Sequence, residues 1–256
     1  YFDEYIVPQQ QIELNIKYFS LNETKISIII PALNEENSIG QVINSLPKIY
    51  HQLIVVDNGS NDSTRKIAKK NGAIVLIEKK RGYGNACLKG IRFLKKTPPD
   101  IVVFLDGDFS DYPQEIKKII KPIEQKKVDF VIGSRIKSLR EKGSMTPQQI
   151  FGNKLACFLL KLIYGGKFTD LGPFRAIKWD TLMDLNMIDE TYGWTIEMQL
   201  KVLRKKISYA ETPVRYRRRI VNSKISGTLK GSLLAGIKII GWIVKYYFKI
   251  HLKFCN

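Results

Sequence analysis

The stretch Asp100-Ile-Val-Val-Phe-Leu-Asp106-Gly-Asp-Phe-Ser-Asp111 governs the reading of the whole chain. Its first half is an apolar, β-rich run, as expected of a strand buried on both faces, and its second half turns at once into carboxylates. In open α/β sheets, ligands bind outside the carboxyl ends of the strands. A strand that runs into Asp106-Gly107-Asp108 therefore brings two carboxylates to that position. One residue apart, they can converge on a hard divalent cation, Mg²⁺ or Mn²⁺, whose remaining ligands come from substrate phosphate and water. Gly107 permits the tight backbone this needs. The plainer reading is a polar β-turn, for which Asp-Gly is a common pair.

Outward from this stretch, short β-rich runs alternate with helical ones. Strands are expected at residues 25–31, 52–57, 73–78, 100–106 and 128–134, and helices at 37–46, 61–70, 84–95 and 112–125. Five βα units in a row imply an α/β fold with a mostly parallel sheet and helices on both faces. Beyond Arg135 the pattern changes to an apolar helix at 148–164, a loop at 168–173 and a short strand near 174–177. A helix at 194–205 and an extended segment at 207–216 follow, and a long helical stretch from about 226 to 254 ends the chain. The domain division expected is an N-terminal extension over 1–24, a catalytic domain over 25–225 and a basic amphipathic helix over 226–256.

Other strand ends carry polar clusters too. The first runs into Pro31-Ala-Leu33-Asn34-Glu35-Glu36, and the second into Asp57-Asn-Gly59-Ser60. A carboxylate such as Asp57 can accept a base N–H, and Gly59 allows close approach; a turn followed by a helix cap is the alternative. The third strand leads to Lys79-Lys-Arg81-Gly82-Tyr-Gly84-Asn85. There a helix start offers unpaired N–H groups to phosphate beside two cations, unless it is only a Gly-rich turn. A dinucleotide fingerprint fits poorly, because Cys87 stands where the third glycine belongs. No Gly-Lys-Ser/Thr triplet is present, which argues against oxidoreductase and P-loop classes.

The 256 residues, 44% hydrophobic, supply ample core and exclude a disordered chain. The 42 Lys+Arg against 24 Asp+Glu give a net charge of +18, which calls for an anionic partner. Ten of the cations and none of the acids lie between Val214 and Asn256. Three widely spaced cysteines support neither a disulfide framework nor a zinc site. The first residue is Tyr1, so a removed leader stays open.

Taken together, these motifs resemble family 2 glycosyltransferases of the GT-A fold, above all the branch of dolichyl- and polyprenyl-phosphate sugar synthases. The resemblance covers residues 25–227. It implies that Pro31, Leu33 and Glu35 line the nucleotide base site with Asp57 as the base-contacting acid, and that Asn34 and Gly59 belong to the nucleotide-sugar site. Lys79, Gly82 and Gly84 would lie near the ribose and diphosphate, and Asp106 and Asp108 would bind the metal. Ile-Gly-Ser-Arg135 resembles the strand ending in an arginine near the acceptor, and Thr169-Asp170-Leu-Gly-Pro-Phe-Arg175 the acceptor loop. Arg217, Arg219 and Lys224 resemble a late Arg…Ser-Lys signature whose cations touch phosphates. Two departures stand out: Ser110 replaces the glutamine usual two residues beyond the metal motif, so the shell differs or includes Asp111 or water, and Asn222 replaces a glycine.

The function implied is inverting transfer of a hexose from a UDP- or GDP-sugar to a polyprenyl or dolichyl phosphate. The catalytic residues expected are Asp108, Asp170 and Arg135. A lipid phosphate is anionic and needs no general base; a hydroxyl acceptor needs one, with Asp170 or Glu197 as candidates. In the last stretch, Lys230, Lys238, Lys245, Lys249 and Lys253 share one arc, while Leu229, Leu233, Ile237, Ile240, Val244 and Tyr247 share another. That reads as an interfacial helix on an anionic membrane, too interrupted to span it, or as a helix packed on the domain. The place expected is cytoplasmic, peripheral at the inner face of the membrane. A nucleic-acid-binding module would explain the charge but not the carboxylates at the strand ends, so nucleic acid is not an expected partner.

Overall fold

Ile26–Ala32 forms strand β1, and every one of its residues is buried. Alternate side chains divide between two cores: Ile29 joins one cluster, and Ile28 and Ile30 join the other. A strand covered on both faces is why the run is apolar throughout rather than alternating. The structure, a computed structural model, describes residues 24–220, 236 and 238–247.

In chain order the elements are β1, α1 (Ile39–Asn44), β2 (Gln52–Asp57), α2 (Thr64–Lys70), β3 (Ile74–Ile77), α3 (Tyr83–Leu94) and β4 (Ile101–Phe104). There follow α4 (Ile116–Glu124), β5 (Phe130–Ser134), α5 (Pro147–Tyr164), β6 (Arg175–Lys178), α6 (Trp179–Leu185), α7 (Trp194–Arg204) and β7 (Tyr209–Pro213). A last helix, α8, covers 238–247. The sheet order is β3-β2-β1-β4-β6-β5-β7. Pairings β1–β2, β1–β4, β2–β3 and β5–β7 are parallel, whereas β6 runs antiparallel to both β4 and β5. The mostly parallel α/β expectation holds. The reversed strand β6 lies between β4 and β5.

Proline is tolerated within central β1 because the ladder to β4 stops at Ile29 opposite Phe104. Pro31 still pairs in register with Val56 on the other side. One core cluster packs α3, α5, α6, α7 and α8 against one face of the sheet, and the other packs α1, α2 and α4 against the opposite face. Helix α5 is sharply delimited. Thr146 and Gln149 form a reciprocal capping box, Pro147 occupies the first turn, and Gly165 ends the helix in the left-handed region at φ 67°.

Helix α8 does not stand off from the domain. Trp242, Ile243 and Tyr246 are buried in the main core, and Tyr164 Oη donates to the Ile243 carbonyl at 2.9 Å. Ile240, Val244 and Tyr247 form the outer face. The remainder of the expected 226–256 helix, with Lys224 before it, lies outside the described residues, apart from residue 236. Among the described residues, no helix is long and apolar enough to cross a membrane.

Candidate active site

Asp106 and Asp108 follow β4 at the carboxyl end of the sheet. Tyr83 Oη donates to Asp106 Oδ1 at 3.0 Å. Burial, followed by the charge of Asp108, pushes the Asp106 carboxyl up to about 6. Asp108 Oδ1 accepts from the Ser110 amide at 2.9 Å and the Ser110 hydroxyl at 2.6 Å, and its Oδ2 lies 2.8 Å from Arg219 Nε. Gly107 is not the residue that permits the turn. A Cβ there would meet Pro31 O at 3.4 Å, an ordinary contact, and the left-handed position is Phe109 at φ 61°.

Asp111 closes the segment. It is 1% exposed, and neither carboxylate oxygen has a hydrogen-bond partner. Burial, reinforced by Asp106 and Asp108, drives its pKa well above the usual carboxylate range. Three carboxylates within six residues, one of them unsatisfied, are a costly arrangement that a cation relieves. The donor set is all oxygen, which suits Mg²⁺ or Mn²⁺. Among the described residues no group of three or more His, Cys, Asp or Glu is arranged to hold a metal unaided, so Asp106 and Asp108 would share the ion with substrate oxygens.

The 214–219 segment is strapped across this loop. Arg215 donates to Glu115 through its backbone N–H at 2.8 Å and its Nε at 2.9 Å. Tyr216 bridges to both Asp111 and Arg140. The Arg217 guanidinium lies 3.7 Å from the Phe109 ring centre and 3.9 Å from that of Tyr112, and donates to the Asp111 carbonyl at 3.0 Å. Arg217 thus fastens the strap. Arg219 is the cation of this segment that reaches Asp108.

At the ends of β1 and β2, the 33–36 and 57–64 loops are laced together. Asn34 N–H donates to Ser60 Oγ at 2.8 Å, Glu35 N–H to Thr64 Oγ1 at 2.7 Å, and Asn61 N–H to Asn34 Oδ1 at 2.8 Å. Asp57, wholly buried, accepts from the Gly59 and Ser60 amides and pairs with Arg65 Nε at 3.0 Å. Gly59 needs its freedom, since its φ is +84° and a Cβ would press on the Arg81 guanidinium at 3.3 Å. Lys79 is exposed.

The expectation of unpaired N–H groups at the start of α3 is corrected by the structure. Gly84 N–H donates to the Thr191 carbonyl at 3.2 Å, and Asn85 N–H to the Glu190 carbonyl at 2.9 Å. Gly82 and Gly84 are where that chain crosses: added Cβ atoms would sit 2.1 Å from Glu190 O and 2.0 Å from Asp189 O. The crossing loop is anchored by buried Asp189, which accepts from Thr191 N–H at 2.7 Å, Gly193 N–H at 3.0 Å and Trp242 Nε1 at 2.6 Å.

The profile of glycosyl transferase family 2 matches residues 27–182, more than half of the chain. This chain belongs to that family. It is a glycosyltransferase, and its relatives agree. An uncharacterized glycosyltransferase of Mycobacterium tuberculosis is 30% identical over 82% of this chain and 94% of its own length. A protein of Methanococcus voltae named UDP-N-acetylglucosamine–dolichyl-phosphate N-acetylglucosaminyltransferase is 31% identical over 74% of this chain and 84% of its own. Among solved structures, glucosyl-3-phosphoglycerate synthase of M. tuberculosis, crystallised with Mn²⁺, UDP and phosphoglyceric acid, matches with a TM-score of 0.70. It is 23% identical, covering 88% of this chain and 78% of its own, a likeness that establishes the GT-A fold.

In this glycosyltransferase Arg135 and the 169–175 loop, paired in the reading of the sequence, do come together. Asp170 accepts from the Arg135 backbone N–H at 2.7 Å and from its guanidinium at 2.8 and 2.7 Å. Burial alone would raise the Asp170 carboxyl, but the Arg135 guanidinium holds it below its ordinary value. Arg135 also lies 5.0 Å over the Tyr216 ring. Arg175, wholly buried, holds the loop by donating to the Leu171, Gly172 and Thr195 carbonyls. Glu197 is no surface position. It is wholly buried, accepting from the Ile188 and Asp189 amides at 2.9 and 2.7 Å and from Lys201 Nζ at 2.6 Å.

Sequence reading did not single out Tyr83, Tyr216, Asp189 or Glu211, which accepts from the Thr169 amide at 2.8 Å. Tyr83 lies inside the quoted Gly-Tyr-Gly motif and was within reach. Tyr216 and Glu211 act through contacts across 40 residues or more, as does Asp189 toward Trp242, and no local pattern announces these.

Proposed function

We propose that this glycosyltransferase moves a hexose from a UDP- or GDP-sugar, with inversion at C1, to a polyprenyl or dolichyl phosphate at a membrane surface. The observation that carries the acceptor class is the state of the two candidate bases. Asp170 is spent on Arg135, and Glu197 is spent on the Ile188 and Asp189 amides and Lys201. A hydroxyl acceptor requires a base within reach, whereas a phosphate is ionised already. The dolichyl-phosphate specificity in the Methanococcus voltae relative's name supports the same reading. A hydroxyl acceptor is favoured by one observation only, the unpartnered carboxylate of Asp111.

In this mechanism Asp106 and Asp108 would hold the divalent ion, which would supply a Lewis acid at the donor diphosphate. Pro31, Leu33, Asn34, Glu35, Asp57 and Gly59 shape the base site, with Lys79 beside the phosphates. Arg219 exchanges Asp108 for a phosphate oxygen when the donor binds, so its charge follows the negative charge of the leaving group. Arg135, fixed by Asp170 and Tyr216, orients the acceptor phosphate. An acceptor oxygen attacks C1 as the C1–O bond breaks, and the nucleoside diphosphate departs with the electron pair.

The test is nucleotide release from a panel of UDP- and GDP-sugars, with a short-chain isoprenyl phosphate in one arm and the matching isoprenol in the other. Release confined to the phosphate arm is the expected result. Release with the isoprenol alone overturns the acceptor class. A second measurement isolates the exchange: Arg219→Gln is expected to bind Mn²⁺ several-fold tighter without donor, yet to turn over about a hundredfold more slowly. Titration with Mn²⁺ that shows equal or weaker binding removes Arg219 from that role.

A further inference from the structure

Helix α5 turns a narrow apolar stripe to solvent. Phe151 is 70% exposed, Phe158 59% and Leu162 69%. At ~100° per residue these three fall within about 40° of one another. The opposite side is buried through Ala156, Cys157 and Leu160. Lys154 and Lys161 are exposed and border the stripe on one side, and no acid occurs between Pro147 and Tyr164. Large side chains presented singly are ordinary on a protein surface, but three in one row on a capped helix mark a binding face.

The two neighbours of buried Asp170 tie this helix to the 168–173 loop. Asn153, on the inner side of α5, donates through Nδ2 to the Thr169 carbonyl at 3.2 Å and accepts from the Leu171 amide at 2.8 Å. A helix is only ~10 Å across, so whatever docks on the stripe lies about one helix diameter from that loop. At the helix's other end, Tyr164 bonds α8, beyond which the sequence remains basic and free of acid.

We infer that the outer face of α5 is the surface by which the enzyme sits on an anionic lipid bilayer. Phe151, Phe158 and Leu162 enter the headgroup–acyl boundary while Lys154 and Lys161 meet lipid phosphates. This inference deepens the lipid-phosphate reading and rests on it for its purpose. An isoprenyl phosphate keeps its chain in the bilayer and its charge at the interface, so docking by α5 brings the phosphate to the Arg135–Asp170 loop without extracting the chain. Apolar and cationic groups together suit a bilayer of anionic lipid better than a second copy of a chain with a net charge of +18.

The experiment is co-sedimentation of the full chain with phosphatidylcholine vesicles containing about 30% phosphatidylglycerol, repeated with phosphatidylcholine alone. Wild type is expected to bind the mixed vesicles, and Phe151→Ser/Phe158→Ser to bind them at least tenfold less. Ile240→Ser/Val244→Ser, on the outer face of α8, serves as the comparison. Equal binding by the α5 variant and wild type, or loss only in the α8 variant, overturns the assignment. So does sedimentation velocity showing a wild-type dimer that the α5 variant dissolves. Nucleotide release with a water-soluble short-chain isoprenyl phosphate is read in parallel. The α5 variant is expected to keep wild-type rates there, so failure of the acceptor reading shows in that assay and failure of the surface shows in the vesicles.

Discussion

Asp108→Asn is expected to lower turnover by about a thousandfold or more while leaving the protein folded. The substitution keeps a side-chain oxygen able to accept from the Ser110 amide and hydroxyl, so the loop retains its internal bonds. What it removes is the charge that faces Arg219 and that, in the mechanism proposed, shares the divalent ion. The side chain belongs to the loop after β4, not to either hydrophobic core, so thermal unfolding is expected to shift little. Nucleotide release, Mn²⁺ titration and a circular-dichroism melt on one preparation check the three parts. Turnover within about tenfold of wild type would remove Asp108 from the chemistry.

The second large effect concerns stability. Asp170→Ala leaves the Arg135 guanidinium, 11% exposed, without its carboxylate, and is expected to cost about 3–5 kcal/mol. The pH dependence follows from the direction of the shift. Arg135 outweighs burial and holds the Asp170 carboxyl below its ordinary value in the folded protein. A lowered folded pKa contributes stability that is fully present above the ordinary carboxylate value and lost as pH falls through the lowered one. The gap between wild type and Asp170→Ala in urea unfolding should therefore be widest near neutrality and close under strongly acid conditions. The double variant Arg135→Met/Asp170→Leu removes both charges and is expected to recover much of the stability but none of the activity. A gap unchanged in acid would sink the ion-pair account; full activity in the double variant would free Arg135 from the acceptor role.

Much of the site was legible because its residues lie in short runs at strand ends. Asp57, Asp106 and Asp108 each follow an apolar run, and strand periodicity alone sends such a residue to the carboxyl edge of the sheet. Strand β2 spans Gln52–Asp57 as read, and α3 begins one residue earlier than read. Other features were not legible. Trp179–Leu185 was missed as a helix, since seven residues following a strand give too short a period to register. The start of α3 reads as an anion site, yet carbonyls of residues 190 and 191, distant in sequence, already occupy its amides. Glu197 reads as a candidate base, yet it is a buried anchor of the preceding loop.

The sequence by itself determined the α/β class, the polar ends of the strands and the carboxylate pair after β4, because strand burial and side-chain alternation are local properties of the chain. It also determined the excess of positive charge toward the C-terminus. Only the tertiary structure decided that β6 runs backwards between β4 and β5, that Arg219 crosses to Asp108, that Asp170 and Glu197 are already engaged, and that α5 rather than the inner side of α8 faces outward with its aromatic rings. Each of these is a choice of partner between segments far apart in sequence. Such choices are fixed by which surfaces fit and which buried charges find a counter-charge, and no run of neighbouring residues encodes them.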